Sequence, residues 1–161
     1  MAVLAKIEFA ASIQINGRMT MWKLLSLLCI IAGVAQAEST LPRTAAVEGA
    51  EVYFIAPTQG AEVKSPVTVR FGLRGMGVAP AGINAAGTGH HHLMIDVETL
   101  PPMDQPLPKD DQHLHFGGGQ TETTVVLAPG KHTLQLVLGD QLHQPHQPPL
   151  MSPKITITVI E

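Results

Sequence analysis

Apolar and polar residues alternate over several short segments of the chain, with the two-residue period of a β-strand. The clearest segment is SPVTVRFGLRG at 65–75, where Val67, Val69 and Phe71 share one face. Similar runs, separated by turns rich in glycine and proline, lie at 52–57, 90–97, 121–127, 131–140 and 154–161. None of these segments has helical periodicity. The pattern predicts an all-β domain at residues 51–161, an immunoglobulin-like antiparallel β-sandwich of about seven strands.

The segment before this domain has the features of a signal peptide. Residues 21–37 read MWKLLSLLCIIAGVAQA, in which Lys23 precedes a short apolar run. The sequence Ala35-Gln36-Ala37 has the small-x-small form that signal peptidase cleaves. The apolar run is too short to span a membrane well. We therefore predict a periplasmic or secreted bacterial protein that has no membrane contact after cleavage.

The predicted cleavage divides the chain into a signal peptide region at 1–37, a flexible leader at 38–50 and the β-sandwich domain at 51–161. Met19 and Met21 are alternative starts for the signal region. Cys29, the one cysteine, lies in the part that is removed. The mature chain would therefore enter a compartment that permits disulfides without having any, and its stability must come from its core.

Charge and histidine content limit the function classes. From Glu38 onward the chain has 7 Lys and Arg against 12 Asp and Glu, a net charge of −5. This balance argues against nucleic acid and anionic membranes as partners. All 8 histidines of the chain lie in this acidic part, between His90 and His146.

The predicted topology brings most of these histidines to one end of the sandwich. Successive connections in an antiparallel sandwich alternate between its two ends. The approaches to strands 90–97 and 121–127, and the loop before strand 154–161, should therefore lie together. Seven histidines converge there, namely His90, His91, His92, His113, His115, His143 and His146, whereas His132 falls at the opposite end.

Side-chain alternation selects among them. It turns His91 inward and leaves His90 and His92 together on the outer face of their strand. The sequence HLH at 113–115 likewise directs two imidazoles to one side, near enough to bind one ion together. The predicted metal ligands are therefore His90, His92, His113 and His115, with His143 and His146 closing the site from their loop and Asp96 supporting it.

The donor types favour a transition metal. Neutral imidazole suits copper, zinc and nickel, and thioether sulfur adds a preference for Cu(I). Four methionines are expected near this end, namely Met76, Met94, Met103 and Met151. We interpret the protein as a non-enzymatic periplasmic binding protein for copper, with zinc as the alternative metal and a periplasmic protein as a further possible partner. Three histidines and a water would instead make a catalytic zinc site, the least favoured interpretation.

Structural roles compete with ligation for several of these residues. His132 lies on a strong strand and is expected to be structural, and His91 is expected to bond to backbone. The methionines are individually better explained as core residues that fill gaps. The run Gly117-Gly118-Gly119 indicates close backbone packing or a bulge beside the histidines. The alternative function is an envelope structural or protein-interaction module whose histidines only hold loops.

Four sequence blocks resemble a bacterial family known as domain of unknown function 4399. They are GHHHLMID at 89–96, HLHFGGGQTE at 113–122, LAPGKHTLQL at 127–136 and GDQLHQPHQPPLMS at 139–152. The resemblance extends from about Val52 to Val159. It implies a small secreted or periplasmic protein and supports treating the histidine blocks as a unit, but it names no ligand.

Overall fold

The computed structural model describes residues 42–161, which form nine β-strands and no helix. The strands are β1 (Glu51–Ala56), β2 (Glu62–Lys64), β3 (Val67–Arg74), β4 (Gly77–Val78), β5 (Thr88–Ile95), β6 (His113–His115), β7 (Glu122–Val125), β8 (Gly130–Gly139) and β9 (Ile155–Ile160). The predicted signal peptide lies outside the described residues. Within the described range, no helix could cross a membrane.

The strands form two sheets. The smaller sheet has the order β1-β3-β7, and the larger has the order β2-β9-β8-β5-β4, with β6 also paired to β5. Most neighbours are antiparallel, whereas β2 pairs with β9 and β4 pairs with β5 in parallel. The all-β prediction is confirmed. The strand order is compatible with an immunoglobulin-like sandwich, and that specific type stays a prediction.

One hydrophobic core lies between the two sheets. On β3, Val67, Val69 and Phe71 face inward, as their alternation predicts, and each exposes 2% of its surface or less. Leu134 and Leu138 on β8 meet them from the larger sheet and are fully buried. Burial of each such side chain stabilises the fold by roughly 1.5–3 kcal/mol relative to its exposure. This core fixes the faces of β5 and β8, and so fixes where their other side chains point.

A second, smaller hydrophobic cluster covers part of the outer face of the larger sheet. It comprises Met94, Val97, Leu107 and Val137, with Leu100 and Met103 packed against it. Several of these residues come from the proline-rich connection between β5 and β6, which folds back over the sheet. Met94 lies on the same face of β5 as His90 and His92, so this connection forms a wall beside them.

Three short strands are the main features of the fold that the sequence pattern missed. Strands β2, β4 and β6 have only two or three residues each, too few for alternation to be detected. Residues 43–46, within the segment predicted as a flexible leader at 38–50, are hydrogen-bonded to the loop between β8 and β9. The flexibility of the leader stays a prediction.

Candidate metal centre

Strand β5 provides the centre of the site. His90, His91 and His92 are all buried, and none exposes more than 1% of its surface. His92 lies between two neighbours, opposite Val137 of β8 on one side and His115 of β6 on the other. Because residues two apart on a strand project in parallel, His90 and His92 both face outward from the sandwich.

Two further histidines complete the group. Directly opposite residues of neighbouring antiparallel strands have Cβ atoms about 5 Å apart, which brings the His115 ring beside that of His92. The loop between β8 and β9 contributes His143. The ring centroid of His90 lies 4.9 Å from that of His92, 5.0 Å from that of His115 and 5.1 Å from that of His143. We call these four residues the histidine cluster.

The nitrogen positions suit one shared ion. The Nε2 atoms of His90 and His92 are 3.1 Å apart. One ring nitrogen from each of His90, His92 and His115 lies within 4.8 Å of the other two. Two nitrogens that bind the same zinc at 2.0–2.1 Å in a tetrahedral site are about 3.3 Å apart. The triad could therefore hold a metal ion with small movements of its side chains.

Unpaired polar atoms also favour a ligand at this site. The Nδ1 atom of His92 and the Nε2 atom of His115 are buried without a hydrogen-bond partner. A buried polar atom without a partner costs about 1–3 kcal/mol. A metal ion bound to the lone pair of His115 would offset part of this cost, whereas packing alone leaves it in place.

The electrostatic environment keeps the buried imidazoles uncharged. Burial, reinforced by the neighbouring histidines, lowers the pKa of His92 to about 2. The same causes lower the pKa of His90 to about 4, although the Asp140 carboxylate opposes them. Burial, followed by His143 and Lys109, also lowers the pKa of His115. At neutral pH these three rings are therefore uncharged, and each has one nitrogen lone pair.

Two glycines make room for the rings. A Cβ atom at Gly139 would lie 2.8 Å from the Nε2 atom of His92. A Cβ atom at Gly117 would lie 2.5 Å from the Nε2 atom of His115. Both distances are too short for any larger residue without a shift of the imidazole. For Gly117, the close packing predicted from the triple glycine is confirmed.

The loop between β8 and β9 fixes the backbone of His143. This residue has a φ of 67°, in the left-handed region that few non-glycine residues adopt. Its N–H donates to the carbonyl oxygen of Asp140 at 2.9 Å, and its own carbonyl oxygen accepts from Leu107 N–H at 2.9 Å. These two bonds hold the conformation from both sides.

Asp140 is the residue that the sequence reasoning missed. Its carboxylate is fully buried and accepts hydrogen bonds from the backbone N–H groups of Leu142 at 2.8 Å and Gln144 at 3.1 Å. These bonds shape the turn that presents His143. The sequence signal was available in the GDQLH run at 139–143, where an aspartate opens a turn next to a histidine.

Three predicted site residues lie outside the histidine cluster. His113 is opposite Met94 on β5, and its Nδ1 atom bonds to the Asp110 carboxylate at 2.8 Å. His146 is fully buried, and its ring nitrogens face the carbonyl oxygens of Leu138 and Thr88 at 3.3 and 3.2 Å. The rings of both residues are thus held by structural hydrogen bonds.

Asp96 is at the wrong end of its strand to support the site. It follows the last residue of β5 and has a φ of 55°, and it lies about 20 Å from His90 at the rise of an extended strand. Its carboxylate bonds to His132 Nδ1 at 2.7 Å and to Thr133 N–H at 2.7 Å. The expected structural role of His132 is confirmed by this contact and by a second bond from its Nε2 atom to Ala128 O at 2.9 Å.

His91 faces the core, as alternation predicts, but the expected backbone bond is absent. Its ring centroid lies 5.2 Å from that of Phe71, between the two sheets. Both of its ring nitrogens are buried without a partner, and burial lowers its pKa to about 4. His91 is therefore an uncharged core residue on the side of β5 opposite the histidine cluster.

Comparison with known proteins identifies the family and nothing more specific. No curated protein and no solved structure matches the chain. One family model matches residues 69–160, a range that includes all four residues of the histidine cluster as well as Asp140. The chain therefore belongs to the family described as Domain of unknown function (DUF4399).

Proposed function

We propose that this protein binds one transition-metal ion through His90, His92 and His115, with His143 as the fourth ligand. The observation that carries the proposal is the spacing of the triad, whose ring nitrogens lie within 4.8 Å of one another. Two of the three imidazoles of the triad are buried and uncharged, so binding by the triad requires neither deprotonation nor the approach of distant side chains. His143 is outside this group of nitrogens, and its ring must move toward the triad to become the fourth ligand. In this proposal the protein is a carrier or store of the metal and not an enzyme.

We favour copper over zinc. Imidazole nitrogens suit both ions, and for a given set of nitrogen donors Cu(II) binds more tightly than Zn(II). Thioether ligands give the preference no support. Met94 and Met103 pack in the second hydrophobic cluster, Met76 packs against the main core, and Met151 is exposed to solvent. The preference for copper thus depends on imidazole chemistry alone.

We place this function in the bacterial periplasm or outside the cell. The supporting features are the signal-like sequence at 21–37 and the absence of cysteine after it. An oxidising compartment holds copper as Cu(II), the state that imidazole donors accept readily. A periplasmic protein that delivers or receives the ion would then be a natural partner.

A second candidate function is an envelope structural or protein-interaction module. It is favoured by the hydrogen bonds of His113, His132 and His146, which show that this chain uses histidines to hold loops. The buried unpaired nitrogens of His92 and His115 argue against extending that role to the histidine cluster.

Metal titration of the tag-free protein discriminates the two candidates. Calorimetry with Cu(II) and then Zn(II) should give one site of sub-micromolar affinity, tighter for copper. The triple variant His90→Ala, His92→Ala, His115→Ala should lose it, whereas the matched control His113→Ala should bind like the wild type. If the wild-type protein binds neither ion, the metal proposal is overturned, and the structural or protein-interaction module remains as the candidate function. Equal binding by the triple variant would overturn the assigned site.

A further inference from the structure

A short segment before the first strand contacts the loop that carries His143. Residues 43–46, which we call the strap, pair with that loop through a parallel bridge between Ala45 and Gln147. Ala46 N–H donates to Gln147 O, and Gln147 N–H donates to Thr44 O, both at 2.9 Å. Two backbone bonds thus join the start of the domain to the far side of the loop.

Side chains of the strap reach further into the loop. The Arg43 guanidinium donates from Nε to Pro145 O at 3.1 Å and from Nη2 to His146 O. The Thr44 hydroxyl donates to the Asp140 carboxylate at 2.7 Å. The strap therefore contacts the loop on both sides of His143, at residue 140 before it and at residues 145–147 after it.

Asp140 connects the strap to His143. One carboxylate oxygen accepts the Thr44 hydroxyl, and the other accepts the N–H groups of Leu142 and Gln144, the two neighbours of His143. A fully buried carboxylate is stable only when such bonds satisfy it. Without the Thr44 hydroxyl, one oxygen would lose its protein donor and draw the carboxylate toward water, and the turn would loosen.

We propose that the strap positions His143 as the fourth metal ligand, acting through the Thr44 hydroxyl and the Asp140 carboxylate. This inference rests on the proposed metal-binding function. The triad of His90, His92 and His115 lies on paired strands, whose hydrogen bonds fix its position without the strap. His143 instead lies on a loop and has a left-handed backbone conformation, which persists only when neighbouring contacts stabilise it. Thr44 and Asp140 are thus positioning residues, and the N-terminal segment controls how firmly the ion is retained.

Substitutions at Thr44 test the inference with a matched control. Thr44→Val keeps the shape and removes the hydroxyl, whereas Thr44→Ser keeps the hydroxyl. Pulsed EPR of the Cu(II) protein should count four imidazole ligands in the wild type and in Thr44→Ser, but three in Thr44→Val. The Cu(II) affinity of Thr44→Val should fall about tenfold, the scale of one charge-assisted hydrogen bond.

Double variants show whether the effect passes through His143. In a His143→Ala background, Thr44→Val should cause no further loss of affinity. An equal loss in both backgrounds, or an unchanged imidazole count in Thr44→Val, would overturn the inference while leaving the metal site intact. Wild-type protein that binds no Cu(II) would instead overturn the proposed function, and this inference with it.

A second variant covers the case in which Thr44→Val fails to fold, as judged by metal-free thermal unfolding. Arg43→Ala removes the bonds to Pro145 and His146 without touching Asp140. It should also lower the imidazole count or the affinity, and amide exchange at His143 and Gln144 should become faster. Unchanged values of all three would contradict the role of the strap.

Discussion

The Nε2 atoms of His90 and His92 lie 3.1 Å apart in a hydrogen-bond contact between two buried rings. Since both rings are uncharged at neutral pH, one of them must carry its hydrogen on Nε2 and donate it to the other. Metal binding through both Nε2 atoms requires that hydrogen to move to Nδ1. We therefore expect one of the two histidines to change tautomer when Zn(II) is added. Long-range ¹⁵N–¹H NMR spectra measure this, and two Nδ1–H tautomers in the metal-free protein would contradict it.

The metal-free protein should lose stability as the pH falls below 6.5, the ordinary pKa of histidine. Burial lowers the pKa of His91 to about 4, so between these values the unfolded chain binds a proton that the folded chain does not. The free energy of unfolding therefore rises with pH in this window. His91 alone should contribute a loss of roughly 2 kcal/mol at about pH 5. The lowered pKa values of His90, His92 and His115 act in the same direction, whereas the raised pKa of His132 opposes them. Urea unfolding at about pH 5 and about pH 7.5 measures the difference, and equal values would contradict the uncharged state of these rings.

Replacing His91 by leucine should stabilise the protein. Both ring nitrogens of His91 are buried without hydrogen-bond partners. An apolar side chain of similar volume removes the free-energy cost of burying these two unpaired nitrogens. We expect His91→Leu to gain roughly 1–3 kcal/mol near neutral pH, and more at acidic pH. His132→Leu is the matched control and should be destabilising, because both nitrogens of His132 are bonded. Urea unfolding of the two variants checks this, and a loss of stability in His91→Leu would indicate a partner for its ring.

Enlarging Gly117 should impair the metal site more than enlarging its neighbour. A Cβ atom at Gly117 would collide with the His115 ring, whereas one at Gly118 would meet the flexible end of the Gln120 side chain at 3.0 Å. We expect Gly117→Ala to lower Cu(II) affinity at least tenfold, an effect of about 1.4 kcal/mol, and Gly118→Ala to leave it unchanged. Calorimetric titration of both variants distinguishes them. Equal affinities would mean that the His115 ring can move without cost to binding.

Asp96 should matter for stability and not for metal binding. Its carboxylate bonds to His132 and to Thr133 N–H, far from the histidine cluster. We expect Asp96→Ala to lower the free energy of unfolding by about 1–3 kcal/mol while metal affinity stays the same. Asp96→Asn should be milder, because asparagine tolerates the positive φ of 55° at this position. Loss of metal affinity in Asp96→Ala, measured by the same titration, would show that Asp96 supports the metal site after all.

Much of the fold and part of the site could be predicted from the sequence. Alternation along β5 correctly separated inward His91 from outward His90 and His92, since the side-chain period of a strand leaves no other choice. Connection topology correctly brought the approach to β7, which contains His115, together with the loop after β8, which contains His143. Both inferences need only the order and period of the strands.

Strand register and loop conformation could not be predicted. His113 and His115 share a face of β6, and only the register, which sets His115 opposite His92 and His113 opposite Met94, separates them. His143 and His146 lie in one loop, and the turn at Asp140 decides which of them joins the histidine cluster. These distinctions depend on contacts between segments that are distant in sequence, and a one-dimensional pattern does not contain them.

The bridge between Ala45 and Gln147 also has a mechanical consequence. The strap precedes every strand of the sandwich in the chain, so tension applied at the N-terminal end of the described residues would reach this bridge first. A few hydrogen bonds would bear that load, and they join directly to the loop that carries His143. Pulling on the N-terminus should therefore release this loop at low force, while the sheets remain folded.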